Sequence, residues 1–164
     1  MNSTEKIRNK ILDADRLTTQ IKAWRDSGMS VVFTNGCFDL IHYGHIIYLS
    51  QSADLGNKLI IGLNSDSSVK KLKGPQRPVN NELTRAMVLA SMEFVDAVSI
   101  FDADTPFDLI NLIKPNVLVK GGDYIAENVV GYNIVTNSGG KVMILPFIDG
   151  YSTTSLVEKI TKHV

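Results

Sequence analysis

Two histidines stand three residues apart in the stretch VVFTNGCFDLIHYGHIIYL, residues 31–49: His42 and His45, with Gly44 between them. A short apolar run at 31–33 precedes them, and apolar residues resume after them. Such a stretch reads as a strand passing into a helix through a glycine-bearing turn. Gly36 lets the backbone approach a ligand closely. A helix beginning near His42 points free N–H groups and a partial positive charge into the space beyond the strand. Residues at i and i+3 share one face of that first turn. Two imidazoles there can donate hydrogen bonds to phosphate oxygens, more strongly when protonated. The chemistry this suits is the handling of a polyanion. Three other readings compete. The histidines could have only a surface or packing role, or they could ligate a metal together with Asp39. The loop could also bind a nucleotide without catalysing anything. The metal reading lacks a third firm ligand at a characteristic spacing.

Positioning such a loop requires a sheet. Five short runs rich in β-branched residues, at 31–33, 59–63, 97–101, 117–119 and 142–145, are almost continuously apolar and bounded by Gly, Asn or Asp. Buried parallel strands read this way. Helix-length segments at 44–55, 82–95, 106–113, 126–138 and 153–163 follow them in turn. The alternation predicts an α/β fold with a parallel sheet and right-handed crossovers. Ahead of the first strand, Ile7, Ile11, Leu12, Leu17, Ile21 and Trp24 predict one or two amphipathic helices over 4–27, ending at Gly28. The expected division is an N-terminal helical segment, 1–29, and a single α/β domain, 30–164. The stretch KKLKGPQRPVNN, 70–81, reads as a loose connection.

In open α/β sheets, ligands bind beyond the carboxyl ends of the strands, where strand order reverses. Four segments therefore matter: TNGCFDLIHYGH after strand 1, NSD and the basic stretch after strand 2, KGGDY after strand 4, and PFIDGYSTTS after strand 5. The rest of the composition narrows the field. A chain of 164 residues, 44% hydrophobic, suits one domain with a sizeable core. Lys+Arg 17 balances Asp+Glu 17, so long-range attraction to nucleic acid or an anionic membrane is not expected. Cys37 is the one cysteine, which excludes an intramolecular disulfide, and the chain starts with a polar stretch. Both fit a reducing compartment, and no apolar run is long enough to span a bilayer. A soluble cytoplasmic protein is the expectation.

The stretch TNGCFDLIHYGH resembles the His-x-Gly-His signature of the nucleotidyltransferase superfamily that includes cytidylyltransferases and phosphopantetheine adenylyltransferase. The likeness continues through GLNSDSSVKKLKGPQRPVN, LVKGGDY and DGYSTTSLVEKI. Four blocks in this order are similar to the adenylyltransferase half of bacterial ADP-heptose synthesis enzymes, over roughly residues 30–160. The resemblance implies a Rossmann-like nucleotidyltransferase domain with a five-stranded parallel sheet of order 3-2-1-4-5 and helices on both faces. It implies that ATP and D-glycero-β-D-manno-heptose 1-phosphate give ADP-heptose and pyrophosphate, for lipopolysaccharide core or surface glycan precursors. It also implies Mg²⁺ held mainly by the triphosphate rather than by protein ligands. In that family a kinase domain often precedes this one. Nothing kinase-sized precedes it here, so a separate heptose kinase is expected to supply the substrate. A homo-oligomer, a dimer or higher, is expected, with the N-terminal helix and the edge of strand 3 as candidate contacts.

Roles then distribute along the chain as expectations. A sugar phosphate oxygen is already anionic at neutral pH, so the reaction needs no general base. It needs two polyanions held in line and charge stabilised on the leaving pyrophosphate. Thr34, Asn35, Gly36, Cys37 and Phe38 are expected to shape the loop against the phosphates, and Asp39 to face the substrate. Cys37 has no partner for a nucleophilic role. His42 and His45 are expected on the triphosphate, His45 in the transition state. Lys70, Lys71, Lys73 and Arg77 read either as a solvated basic loop or as a phosphate lid, with Lys71 and Lys73 foremost. Arg85 matches a family arginine and would reach a phosphate, or else sits at the surface beside Glu82. Asp66 would bind sugar hydroxyls or cap a turn. Lys120, Gly121, Gly122 and Asp123 would border ribose and base, or form a tight turn. Ser152, Thr153 and Thr154 can cap the last helix and also bind phosphate. Cytidylyltransferases usually carry an arginine-containing RTEG run before that helix. Here the run is FIDG, which favours the adenylyl reading.

Overall fold

A computed structural model describes residues 1–162, so the last position of the expected helix 153–163 lies outside the described residues. In chain order the elements are α1 (Ser3–Arg8), α2 (Ala14–Asp26), β1 (Val31–Gly36), α3 (Tyr43–Ala53), β2 (Lys58–Asn64), α4 (Asp66–Lys73) and α5 (Glu82–Ala90). Then come β3 (Ala97–Phe101), α6 (Phe107–Ile113), β4 (Val117–Gly121), a 3₁₀ turn (Ala126–Asn128), α7 (Tyr132–Asn137), β5 (Lys141–Leu145) and α8 (Thr153–Lys162). All five strands are parallel, in the expected order β3-β2-β1-β4-β5.

The period of two along each strand splits the interior into two cores. Val32, Leu59, Ile61, Leu63, Val117 and Val119 pack with Leu49 of α3 and with Ala86, Leu89 and Ala90 of α5. Val31, Phe33, Ile60 and Leu118 point the other way, onto Leu17 and Ile21 of α2, Ile110 and Ile113 of α6, and Val135 of α7. Helices therefore cover both faces, and the central strands read as nearly continuous apolar runs because most of their side chains are kept from water, whereas β5 at the edge stays partly exposed.

The ladder opens where the site lies. β1 pairs with β2 over six positions, Val31 to Gly36, but with β4 only at Val32↔Val117 and Phe33↔Leu118. The last residues of β1 and β4 thus part at the point where strand order reverses, leaving a crevice between them.

Three expectations about the chain need correction. First, 70–81 is not a loose connection. The Ser65 hydroxyl accepts the Ser68 N–H and starts α4, and Gly74, at φ +94°, ends it. Lys70, Lys71 and Lys73 thus sit on the last helical turn, where positive charge complements the helix dipole. With only Val69 and Leu72 apolar in eight residues, the helical period is too faint to read from sequence. Second, the expected helix 126–138 divides at Gly131, whose φ is +92° and where a Cβ would lie 2.8 Å from the Ile110 side chain. Third, the edge of β3 is not open to a second copy at Val98. Val98 N–H donates to Lys10 O, and Leu12 N–H donates to Val98 O, so residues 10–12 lie along that edge.

Candidate functional site

The strand ends open onto a cleft of about 970 Å³. Its floor is the loop from β1 into α3. Gly36 is required there because a Cβ would meet the Phe38 ring at 2.9 Å. Phe38 itself is held at φ +43°, a left-handed conformation that costs a non-glycine residue of order 1–2 kcal/mol unless its surroundings impose it. His42 stands at the N-cap of α3 without making a side-chain cap, so no side chain blocks the helix's first-turn N–H groups. Gly44 is squeezed between the His42 ring and Tyr151, each 3.2 Å from where a Cβ would be.

The His42 and His45 rings stack, with centroids 3.8 Å apart and planes 23° from parallel. Phe38 meets His45 edge-on at 5.4 Å. The Nδ1 atoms of both histidines are buried and make no hydrogen bond among the described residues. Burial, His42 and the Lys73 ammonium push His45 down to about 4, and burial lowers His42 as well. Both rings are therefore neutral at pH 7, each with one N–H and one lone pair. A nearby negative charge would raise both.

This has a measurable cost in acid. Unfolded His45 takes a proton below about 6.5, whereas the folded residue refuses it until about 4. Between those values the unfolded state binds more protons, so stability falls as pH drops from about 6.5 to about 4 and levels off below for this group. Urea midpoints measured across that window check it: His45→Gln should flatten the slope, and an unchanged slope would contradict the assignment.

Cations line the walls. Lys73, at the end of α4, and Arg77 face the cleft from one side. Lys120, at the end of β4, faces it from the other, donating to Asn35 Oδ1 at 3.2 Å and lying 6.0 Å over the Tyr124 ring. Burial lowers the Lys120 ammonium. Burial pushes the Cys37 thiol up, which keeps it protonated and leaves it no nucleophilic role. Beyond β4, Gly121 and Gly122 form a shelf under the Phe147 ring, where a Cβ would come within 2.9 and 2.7 Å of it. Ser152, just ahead of α8, accepts the Ser155 N–H at 3.0 Å.

Of the residues expected from sequence, Asn35, Gly36, Cys37, Phe38, Asp39, His42, His45, Lys73, Arg77, Lys120, Gly121, Ser152, Thr153 and Thr154 line the cleft. Five others do not. Thr34 is fully buried, and its hydroxyl bonds the Tyr48 phenol at 2.7 Å. Lys71 points outward to Asp104 at 3.4 Å. Asp123 is exposed beyond the lining. Arg85 does not line the cleft, nor does it lie at the surface beside Glu82. It is 1% exposed, and its guanidinium donates to the carbonyls of Asn80, Cys37 and Asn64 and to the Asp66 carboxylate. Asp66 is accordingly engaged by Arg85 at 2.8 Å. Asp39 reaches the cleft wall, but its carboxylate already accepts from Arg77 Nε and from the N–H groups of Val79 and Asn80. Burial alone would raise that carboxyl. The Asn80 and Val79 N–H groups and the Arg77 guanidinium outweigh it and hold the group below its ordinary value.

Sequence reading passes over Tyr48, Asn64, Tyr124, residues 104–106 after β3 and residues 128–130, all of which line the cleft. The segment after β3 was legible by the same rule as the other strand ends. Asn64 and Tyr124 lie within segments singled out above, but a lone amide or aromatic there has no signature of its own. No group of three or more His, Cys, Asp or Glu able to hold a metal occurs among the described residues, and the Asp39 carboxylate is already engaged by Arg77, Val79 and Asn80. No helix of the described residues is long and apolar enough to cross a membrane.

Residues 33–159 match the family model described as cytidylyltransferase-like. The chain is 49% identical over 155 residues to the Bifunctional protein HldE of Trichlorobacter lovleyi, covering 94% of this chain and 32% of that protein. It is 53% identical over 152 residues to the Bifunctional protein HldE of Rhodopseudomonas palustris, covering 92% and 31% respectively. The chain thus spans about a third of the length of these relatives. Among solved structures, the lipopolysaccharide core biosynthesis protein from Thermoplasma volcanium aligns with a TM-score of 0.60 at 24% identity, over 76% of this chain and 100% of that one. Pantoate-beta-alanine ligase from Francisella tularensis aligns with a TM-score of 0.60 at 13% identity, over 93% and 77%. At such identities the likeness is one of fold.

Proposed function

The chain belongs to the cytidylyltransferase-like family, and from that premise we propose that it transfers AMP from ATP to D-glycero-β-D-manno-heptose 1-phosphate, giving ADP-heptose and pyrophosphate. The observation that carries the transfer chemistry is the neutral, stacked histidine pair at the strand-order switch, faced by Lys73 and Arg77 on one wall and Lys120 on the other. That arrangement suits two polyanions: Cys37 is a half-buried thiol kept protonated by its surroundings, and the Asp39 carboxylate is fully engaged. The sugar rests on the resemblance of the four sequence blocks to ADP-heptose adenylyltransferases. It is also supported by the half-identity to proteins named HldE.

In this reading a phosphate oxygen of the sugar 1-phosphate attacks the α-phosphorus of ATP. The bond from that phosphorus to the β-bridging oxygen breaks, and its electron pair leaves with pyrophosphate. The protein aligns the two oxygens and stabilises the charge that builds on the leaving group. His45 and His42 donate hydrogen bonds to it, Lys73 and Arg77 add positive charge, and Lys120 with the Gly121 backbone borders the nucleoside. The donor set fits a magnesium ion carried by the triphosphate, since the carboxylate of the histidine loop, Asp39, is taken by three N–H groups. When bound, such an ion offsets phosphate charge. A heptose kinase activity supplies the acceptor, and the product feeds lipopolysaccharide core or surface glycan synthesis.

The test is pyrophosphate release with ATP and CTP, each paired with heptose 1-phosphate, other sugar 1-phosphates and glycerol 3-phosphate. ATP with the heptose phosphate should be the fastest pair. Fastest release with CTP and glycerol 3-phosphate would replace the proposal by a polyol-phosphate cytidylyltransferase. Nucleotide binding without release would make the chain a binding module. Within the same assay, Lys73→Ala should lower kcat/KM by about tenfold to a hundredfold, the loss of one charge-assisted contact. The side chain is exposed, so the melting temperature should hold. Unchanged kinetics would return α4's last turn to a solvated surface.

A further inference from the structure

We propose that Asp39 and Arg85 are positioning residues: they form a buried clasp that fixes segment 73–80 against the histidine loop, and they serve the reaction through that clasp rather than by touching a ligand. The proposal rests on the adenylyl-transfer reading. Its structural half stands without it.

Asp39 is 4% exposed and lies in the histidine loop itself. Its carboxylate takes Arg77 Nε at 2.7 Å and the N–H groups of Val79 and Asn80 at 2.9 Å. Asn80 Nδ2 returns to the Asp39 carbonyl at 3.1 Å. Arg85 closes the other side. It donates to Asn80 O at 3.0 Å, to Cys37 O at 2.6 Å and to Asn64 O at 2.9 Å. Asn80 is therefore held from both directions, by Asp39 through its N–H and by Arg85 through its carbonyl. Neither charged group has capacity to spare for a ligand: the carboxylate oxygens are all engaged, and the Arg85 side chain has no exposed surface.

What the clasp grips explains its use. Cys37 O and Asp39 flank Phe38, the residue held at φ +43°, and the Phe38 ring sets the edge of His45 at 5.4 Å. On the opposite wall the clasp holds Arg77 by Nε alone. Its two terminal nitrogens make no hydrogen bond among the described residues, and the guanidinium lines the cleft. One network thus sets His45 on one wall and aims Arg77 from the other. A transfer that depends on in-line alignment loses rate when two such walls move independently.

The test is Asp39→Asn, alone and in a Lys73→Ala/Arg77→Ala background. The amide puts an N–H donor where one of the present donors arrives. Amide exchange of Val79 and Asn80 should accelerate about tenfold, and kcat/KM should fall about tenfold. In the doubly substituted background the same change should cost about threefold at most, because Lys73 and Arg77 are gone and only the placement of His45 is left to it. Asn80→Ala, which removes only the Nδ2 bond, runs beside it as a milder variant, with about a threefold loss absorbed in the same background. An undiminished loss in that background would show that the carboxylate acts on the ligand directly, and unchanged exchange at Val79 and Asn80 would show that there is no clasp. Either result overturns the proposal. If the parent chain releases no pyrophosphate with any substrate pair, the transfer reading fails. The exchange rates, and the same cycle run on ATP affinity, then decide the clasp by the same criteria.

Discussion

His45→Ala is expected to lower kcat by about 10²–10³-fold while moving the KM for ATP much less. The ring is half-buried, stacked on His42 and neutral, so in the resting cleft it carries no charge with which to bind the ground state strongly. Its donor gains strength as charge builds on the leaving pyrophosphate, which is the signature of an interaction made in the transition state. Losing one oxyanion donor sets the magnitude. His42 stands one turn earlier, at the mouth of α3, and His42→Ala should divide its loss between kcat and KM. If His45 were a packing residue, the variant would be unstable but near-normal in its folded fraction. Steady-state kinetics beside a urea melt separate the two, and a full kcat in His45→Ala contradicts the role given to the pair.

Arg85→Ala is expected to destabilise the fold by about 3–5 kcal/mol, a large share of the total for a domain of this size. The guanidinium is completely buried and satisfies three main-chain carbonyls and one carboxylate. Removing it strands those acceptors away from water and leaves a cavity besides. Asp66, at 32% side-chain exposure, can recover some hydration, whereas the Asn64 carbonyl lies within the core end of β2 and cannot. Urea unfolding monitored by circular dichroism measures the loss. A change below about 1 kcal/mol would show the network to be dispensable. A phosphate contact predicts the reverse pattern, a stable but inactive variant, so this measurement also separates the position Arg85 holds in the fold from the one its sequence suggests.

The difference between those two positions shows how far the sequence could be read. The sheet was legible because most strand residues of β1 to β4 are buried on both faces, so the strands announce themselves as nearly continuous apolar runs. The histidine loop was legible because its residue types are tied to one chemistry at one spacing. Burial of a charge leaves no such mark. Arg85 and Asp66 look like any polar residues near a strand end, and only their contacts reveal that each is the other's partner. The same holds for α4. Its helical period rests on two apolar side chains, and its start depends on a serine cap visible only as a hydrogen bond. Tyr48 and Tyr124 lie in or beside the quoted blocks but carry no signature of their own, so their part in the lining shows only once the fold brings β1, α3 and β4 together.

The central claim is that this cleft moves the α-phosphoryl group of ATP, with its nucleoside, onto a sugar 1-phosphate. Incubation with ATP labelled at the α-phosphorus and, separately, at the γ-phosphorus, each with D-glycero-β-D-manno-heptose 1-phosphate, tests it most directly. The expected result is α-label in a sugar nucleotide of the mass of ADP-heptose and γ-label in an equal amount of pyrophosphate, with both signals lost in His45→Ala. Transfer of γ-label to the sugar, or release of ADP or free phosphate in place of pyrophosphate, would contradict it.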